Sequence, residues 1–111
     1  MKLRKLILDR DEHCWHCGTD DETLVVHHRK GRGLGGSKLL DTPDNLMAVC
    51  SLYNGEMEAV GPVAQQARAW NHKLPIWEDT GLPVFDRATF SWWVLLPDGT
   101  KVRSDWRDQP F

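Results

Sequence analysis

Two short apolar runs stand out along the chain: Leu24 to Val26, ending in His27-His28, and Leu46 to Val49. Both are rich in residues that suit a strand. Side chains alternate along a strand, so His27 and His28 are expected on opposite faces. Between the runs lies a stretch with Gly31, Gly33, Gly35 and Gly36, closed by a turn signal at Thr42-Pro43-Asp44-Asn45. A loop of that length can return the chain locally, which predicts antiparallel pairing. Upstream, Leu3, Leu6 and Ile7 fall at helical spacing within residues 2–9. Downstream, a helix is predicted from about Leu52, with Met57 and Val60 facing inward. Gly61-Pro62 interrupts it, because proline is tolerated at the first position of a new helix. That second helix runs to about Trp70 on a stripe of Val63, Ala67 and Trp70, and Asn71-His72-Lys73 carries stop signals.

The pattern changes after this. Pro75, Gly81 and Pro83 mark a linker, and Val84-Phe85 and Phe90 to Leu96 read as strands. Pro97-Asp98-Gly99-Thr100 is a turn, with Lys101 to Arg103 returning as a further strand. Trp77, Trp92, Trp93 and Trp106 lie in this tail and are expected to pack against a helix rather than to stack on bases. The fold class is therefore α+β: a core over residues 1–73 and a Trp-rich strand extension over 74–111 packing on it.

Composition bounds this picture. A chain of 111 residues with 41% apolar content forms one small domain with a modest core, for which a metal is a common staple. There is no run long enough to span a membrane and no signal-peptide pattern, so a cytoplasmic location is expected. The net charge of −2 gives no global argument for nucleic acid, but eight of the fourteen basic residues fall within residues 1–38. Arg29, Lys30, Arg32 and Lys38 surround the glycines, with no acid between His27 and Lys38. This is the composition of a phosphate-facing loop with a titratable pair at its edge, and the four cations are candidate DNA contacts. The three cysteines do not pair off as disulfides. Cys14 and Cys17 have Cys-x-x-Cys spacing, which suits a reduced, metal-binding thiol set.

Taken in order, Cys14-x-x-Cys17, His27-His28, Asp44-Asn45-Leu46, Cys50 and Asn54 resemble the HNH endonuclease family, over roughly residues 3–60. The glycine loop and the tail are similar to a subgroup found in bacteriophages of actinobacteria. The resemblance implies a ββα-metal, treble-clef-like core with a C-terminal β-hairpin extension. It also implies metal-dependent hydrolysis of DNA phosphodiester bonds, leaving 5′-phosphate and 3′-hydroxyl ends. In that scheme His28 is the general base, and His27 and Asn54 hold a catalytic Mg²⁺ or Mn²⁺. Asn45 fixes the loop through side-chain-to-backbone hydrogen bonds, so the pattern is H-N-N. A histidine at position 27 makes the site softer than a carboxylate would.

The family's zinc clasp would take Cys14, Cys17 and Cys50, with Tyr53 where a fourth cysteine would fall. Either His13, His16 or water completes a zinc site, or the knuckle is held by packing of Trp15 and Tyr53. Glu58 is a candidate for an outer-shell role. DNA is the implied partner, and no feature indicates an oligomeric state. Two readings from other classes stand beside this one. One is a non-catalytic zinc-knuckle DNA-binding module. The other is a protein associated with phage packaging or replication, whose tail docks a partner.

Overall fold

The two apolar runs form a hairpin. Leu24–His28 is β1 and Leu46–Cys50 is β2, paired antiparallel from Leu24 opposite Cys50 to His28 opposite Leu46. This computed structural model describes residues 2–31 and 40–106. A 3₁₀ turn at Pro43–Asn45 leads into β2, with the proline near its start, where no N–H is needed. Every residue of β2 is buried, because helices α1 (Lys2–Asp11) and α2 (Ser51–Glu58) both pack on the hairpin. Asp11, at the end of α1, takes two bonds from Arg10, at 2.6 and 2.9 Å, and accepts the Ala48 N–H at 2.9 Å. Arg10 also donates to the carbonyls of Pro43 and Leu46. A buried ion pair with its remaining hydrogen bonds satisfied thus fastens α1 to β2.

Helix α2 follows β2 directly. Cys50 is its N-cap, and the sulfur accepts the Tyr53 N–H at 3.4 Å. Met57 is buried as expected, but Val60 is fully exposed rather than inward-facing. The helix ends at Glu58, since Pro62 disfavours helical backbone at the residue before it and the chain must turn first. Pro62 then opens α3 (Pro62–Ala69), with Gly61 at φ 151° as its N-cap.

The tail forms one strand more than a hairpin. Val84–Asp86 (β3), Ser91–Leu95 (β4) and Lys101–Ser104 (β5) make an antiparallel sheet in the order β3-β4-β5. Val84 and Leu95 belong to the same buried cluster as Cys14, Trp15, Met47, Val49, Tyr53 and Met57. Trp70, Phe85 and Trp92 form a second cluster. The Lys101 ammonium lies 5.0 and 4.6 Å from the ring centres of Trp15 and Trp93, joining β5 to the cysteine turn by cation–π contact. At the β4–β5 turn Gly99 has φ 94°, and a Cβ there would come within 2.9 Å of the Leu6 side chain. Only glycine allows both that backbone and that approach to α1. No helix among the described residues is long and apolar enough to cross a membrane.

Arg29 departs furthest from the sequence reading. Expected to hold DNA phosphates, it is instead 1% exposed. Its Nε donates to the Asn71 carbonyl at 3.0 Å, one terminal nitrogen to those of Asp44 and Thr80, and the other to that of Leu82. Burial lowers its pKa to about 10, so the charge persists at neutral pH. The planar fork of guanidinium suits several carbonyls at once. Here it ties the end of β1 to the connection between α3 and β3, out of reach of any phosphate. Arg29→Ala is expected to cost about 3 kcal/mol, because it leaves buried carbonyls without donors. Arg29→Lys should restore only part of this. Denaturant unfolding of the two variants checks the assignment, and a loss below about 1 kcal/mol in Arg29→Ala would refute it.

Candidate functional site

Cys14 and Cys17 sit in a turn after α1, and Cys50 ends β2. Their sulfurs all lie within 4.8 Å of one another, and none is in a disulfide. Sulfurs around a tetrahedral zinc, with bonds of about 2.3 Å, are about 3.8 Å apart, so the three stand near ligand spacing. The backbone also suits thiolates. Cys14 Sγ accepts the N–H groups of His16 and Cys17 at 3.3 and 3.5 Å. Burial pushes the Cys50 thiol up to about 11, and the neighbouring Cys14 adds to this. At Cys17 burial acts in the same direction but is outweighed by hydrogen bonds from the Thr19 backbone and from Cys14 and Cys50, which leave it below the ordinary value. Three thiolates together need a cation. The cluster could hold a metal ion such as zinc, which would bind with release of the thiol protons.

Among the described residues no fourth His, Cys, Asp or Glu joins the group. His13 is paired with Asp86 at 2.7 Å, and His16 stacks on Tyr53 with ring centres 4.1 Å apart. Neither supplies the missing ligand. The Tyr53 hydroxyl is also engaged elsewhere, donating to Nδ1 of His72 at 2.6 Å.

The two adjacent histidines leave β1 on opposite sides. His27, 4% exposed, points to the α2 side. Its Nε2 lies 2.8 Å from the His72 carbonyl, which can only accept, so Nε2 carries the proton. Burial holds its pKa below the ordinary value, against the opposing effect of its bonds to His72 and Asn54. The ring is therefore neutral at pH 7, with a lone pair on Nδ1. That lone pair faces Asn54 Oδ1 at 3.1 Å, and a carbonyl oxygen is also an acceptor. Either the amide turns its NH₂ toward the ring, or a cation is shared between the two. Glu58, exposed on α2, favours positive charge at His27.

His72, read from sequence only as a helix stop, fixes this arrangement. It is wholly buried. Its Nε2 donates to the Phe85 carbonyl at 2.6 Å while its Nδ1 accepts from Tyr53, and burial drives its pKa down to about 3. The ring locks the chain so that its own carbonyl sets the tautomer of His27.

On the other side, His28 Nε2 lies 2.7 Å from Asp41 Oδ1. The two side chains are 27% and 32% exposed. The carboxylate holds the proton on Nε2 and leaves Nδ1 free as an acceptor. They open into a cleft of about 420 Å³ that also takes in Leu3, Arg4, Val25, Val26 and Leu46. Asp41 and Arg4 were absent from the sequence reading. The one signal for Asp41 was chemical, since a histidine base needs an acceptor to orient it.

Asn45 is fully buried. Its Oδ1 accepts the Lys30 N–H at 2.8 Å, and its Nδ2 donates to the carbonyls of Lys30 and Leu40 at 3.2 and 2.9 Å. One side chain thus clamps both ends of the glycine loop. Lys30 is half-buried at the loop's entry. Arg32 and Lys38 lie outside the described residues.

No family model matches this chain, and no curated protein or solved structure matches it.

The chemistry available is defined by the side chains alone. A buried imidazole and a half-buried amide oxygen can hold a divalent ion at one side of the β1 end. A carboxylate-oriented imidazole with a free Nδ1 can accept a proton at the other. A separate thiol cluster can hold a structural ion on the far end of the hairpin, where Leu24 pairs with Cys50.

Proposed function

We propose that this chain is a metal-dependent DNA endonuclease of the HNH type, hydrolysing phosphodiester bonds on a ββα-metal core made of β1, β2 and α2. The observation that carries the reading is the pair of facing acceptors, His27 Nδ1 and Asn54 Oδ1, 3.1 Å apart. A shared divalent cation satisfies both. Mg²⁺ needs few protein ligands because it keeps several waters, and a histidine nitrogen also suits Mn²⁺. Bound there, either ion would supply charge neutralisation at the scissile phosphate and stabilisation of the leaving oxygen.

The chain's own groups do the rest. His28 takes a proton from the attacking water at Nδ1 while Asp41 holds its Nε2–H. Because His27 and His28 point to opposite sides of β1, the phosphate lies across the end of the strand, within reach of both. Asn45 keeps that end in place through Lys30 and Leu40. Arg4 in the cleft and Lys30 at the entry of the glycine loop draw in the flanking backbone; buried Arg29 does not.

Supercoiled plasmid tests this directly. Nicked circles are expected with Mg²⁺ or Mn²⁺ and not without added metal; EDTA is avoided because it would also attack the cysteine cluster. Asn54→Ala should abolish nicking. Asn54→Asp should retain it, since a carboxylate ligates a cation but cannot donate an N–H to His27. Loss of activity in both variants would reduce the pair to an ordinary amide–imidazole hydrogen bond. The cysteine cluster favours a second reading, a non-catalytic zinc-knuckle module. DNA retention without nicking in either metal would select it.

A further inference from the structure

The connection between α3 and β3 carries the most exposed of the large aromatic side chains among the described residues, Trp77, at 82%, with Ile76 beside it at 61%. Trp77 lines a cleft of about 340 Å³ with Arg68, Lys73, Leu74 and Pro75. Arg68 is exposed in the last turn of α3. Lys73 spends one N–H on the Met57 carbonyl at 2.7 Å and keeps two more. The nearby acids are turned to their own backbone: Glu78 accepts the Asp79 N–H, and Asp79 the Gly81 N–H.

One wall of the cleft, Leu74, is tied to the residues that follow β1. Leu74 bridges to Lys30 and donates its N–H to the Arg29 carbonyl at 2.8 Å. The His72 carbonyl, just before it in the chain, holds His27. Met57, which anchors Lys73, lies one helical turn beyond Asn54.

We propose that this cleft seats an unpaired nucleic-acid strand running past the His27–Asn54 pair, with a base stacked on Trp77 and backbone phosphates against Arg68 and Lys73. An open aromatic face beside cations is the pattern of single-strand binding, because every base offers a face to stack and a paired duplex hides it. In its direction along the site the inference rests on the nuclease reading, to which it adds a substrate class: single-stranded or locally opened DNA.

Fluorescence anisotropy without added Mg²⁺ or Mn²⁺ separates this from cleavage. The probes are a labelled single strand of about 12 nucleotides and a duplex of the same sequence. The single strand should bind at least about tenfold more tightly than the duplex. Trp77→Ala should weaken single-strand binding about tenfold and leave the circular dichroism spectrum unchanged, while Trp77→Phe keeps most of the affinity. Arg68→Ala should flatten the dependence of log K on log salt by about 0.7.

Equal affinity for the two probes would overturn the proposal, as would Trp77→Ala binding like the parent. So would concentration-dependent self-association in sedimentation that Trp77→Ala abolishes, which would give the patch to a second copy of the chain. Trp77-dependent strand binding, with neither the plasmid nor the single strand cut when Mg²⁺ or Mn²⁺ is added, would retire the nuclease and keep the cleft. Nicking with Trp77-independent binding would do the reverse.

Discussion

Chelating a metal ion held by Cys14, Cys17 and Cys50 is expected to unfold most of the protein. The cluster joins the turn after α1 to the end of β2 and the start of α2, and Cys14 and Cys50 sit inside the main buried cluster. A structural zinc supplies about 10–16 kcal/mol of apparent free energy in isolated fingers. A small domain has about 5–15 kcal/mol of stability in total. Even a reduced share from three thiolates would therefore be a large part of what holds this chain. Elemental analysis should find one zinc per chain, and chelation should lower the melting temperature by more than about 15 °C. Cys17→Ser separates ligation from packing, because Cys17 is exposed and loses no core contact. It should lose most of the zinc and much of the stability. A zinc-free protein whose melting temperature ignores both chelator and Cys17→Ser would leave the knuckle to Trp15 and Tyr53.

The hairpin was legible because two apolar runs flank a glycine-rich loop, and α3 because Val63, Ala67 and Trp70 keep helical spacing; α2 was placed, but its inward stripe was misread at Val60. The loop clamp at Asn45 entered only through the family resemblance; its partners Lys30 and Leu40 flank the same loop. What could not be read were partners set by the return of the tail. Arg29 sits in a basic stretch, and nothing local distinguishes it from Lys30. Its carbonyl partners at Asn71, Thr80 and Leu82 are 42, 51 and 53 residues away. The His72 carbonyl, which fixes the tautomer of His27, is 45 residues from it. The same holds for His13, offered as a zinc ligand but taken by Asp86 across the fold, 73 residues on. Charge and spacing identify which residues can do chemistry. Only the tertiary fold decides which of them are already committed to holding it together.

His28→Ala should reduce plasmid nicking about a thousandfold, within the range that a positioned general base contributes. Metal and DNA binding should be largely retained, since the His27–Asn54 pair lies on the other side of β1. Asp41 gives the sharper test, because it orients His28 and its two substitutions separate two roles. Asp41→Ala removes the acceptor and lets water take its place, so the imidazole keeps access to either tautomer and the loss should be about tenfold. Asp41→Asn is nearly isosteric but presents an amide that can donate to Nε2. That stabilises the tautomer with the proton on Nδ1, where the attacking water needs a lone pair, and the loss should approach a hundredfold. The isosteric variant is thus expected to be worse than the truncated one, an order that packing or local stability would not produce. If the two variants lose activity equally, or if nicking survives His28→Ala, the proton is taken by another group and the His28–Asp41 pair serves the fold alone.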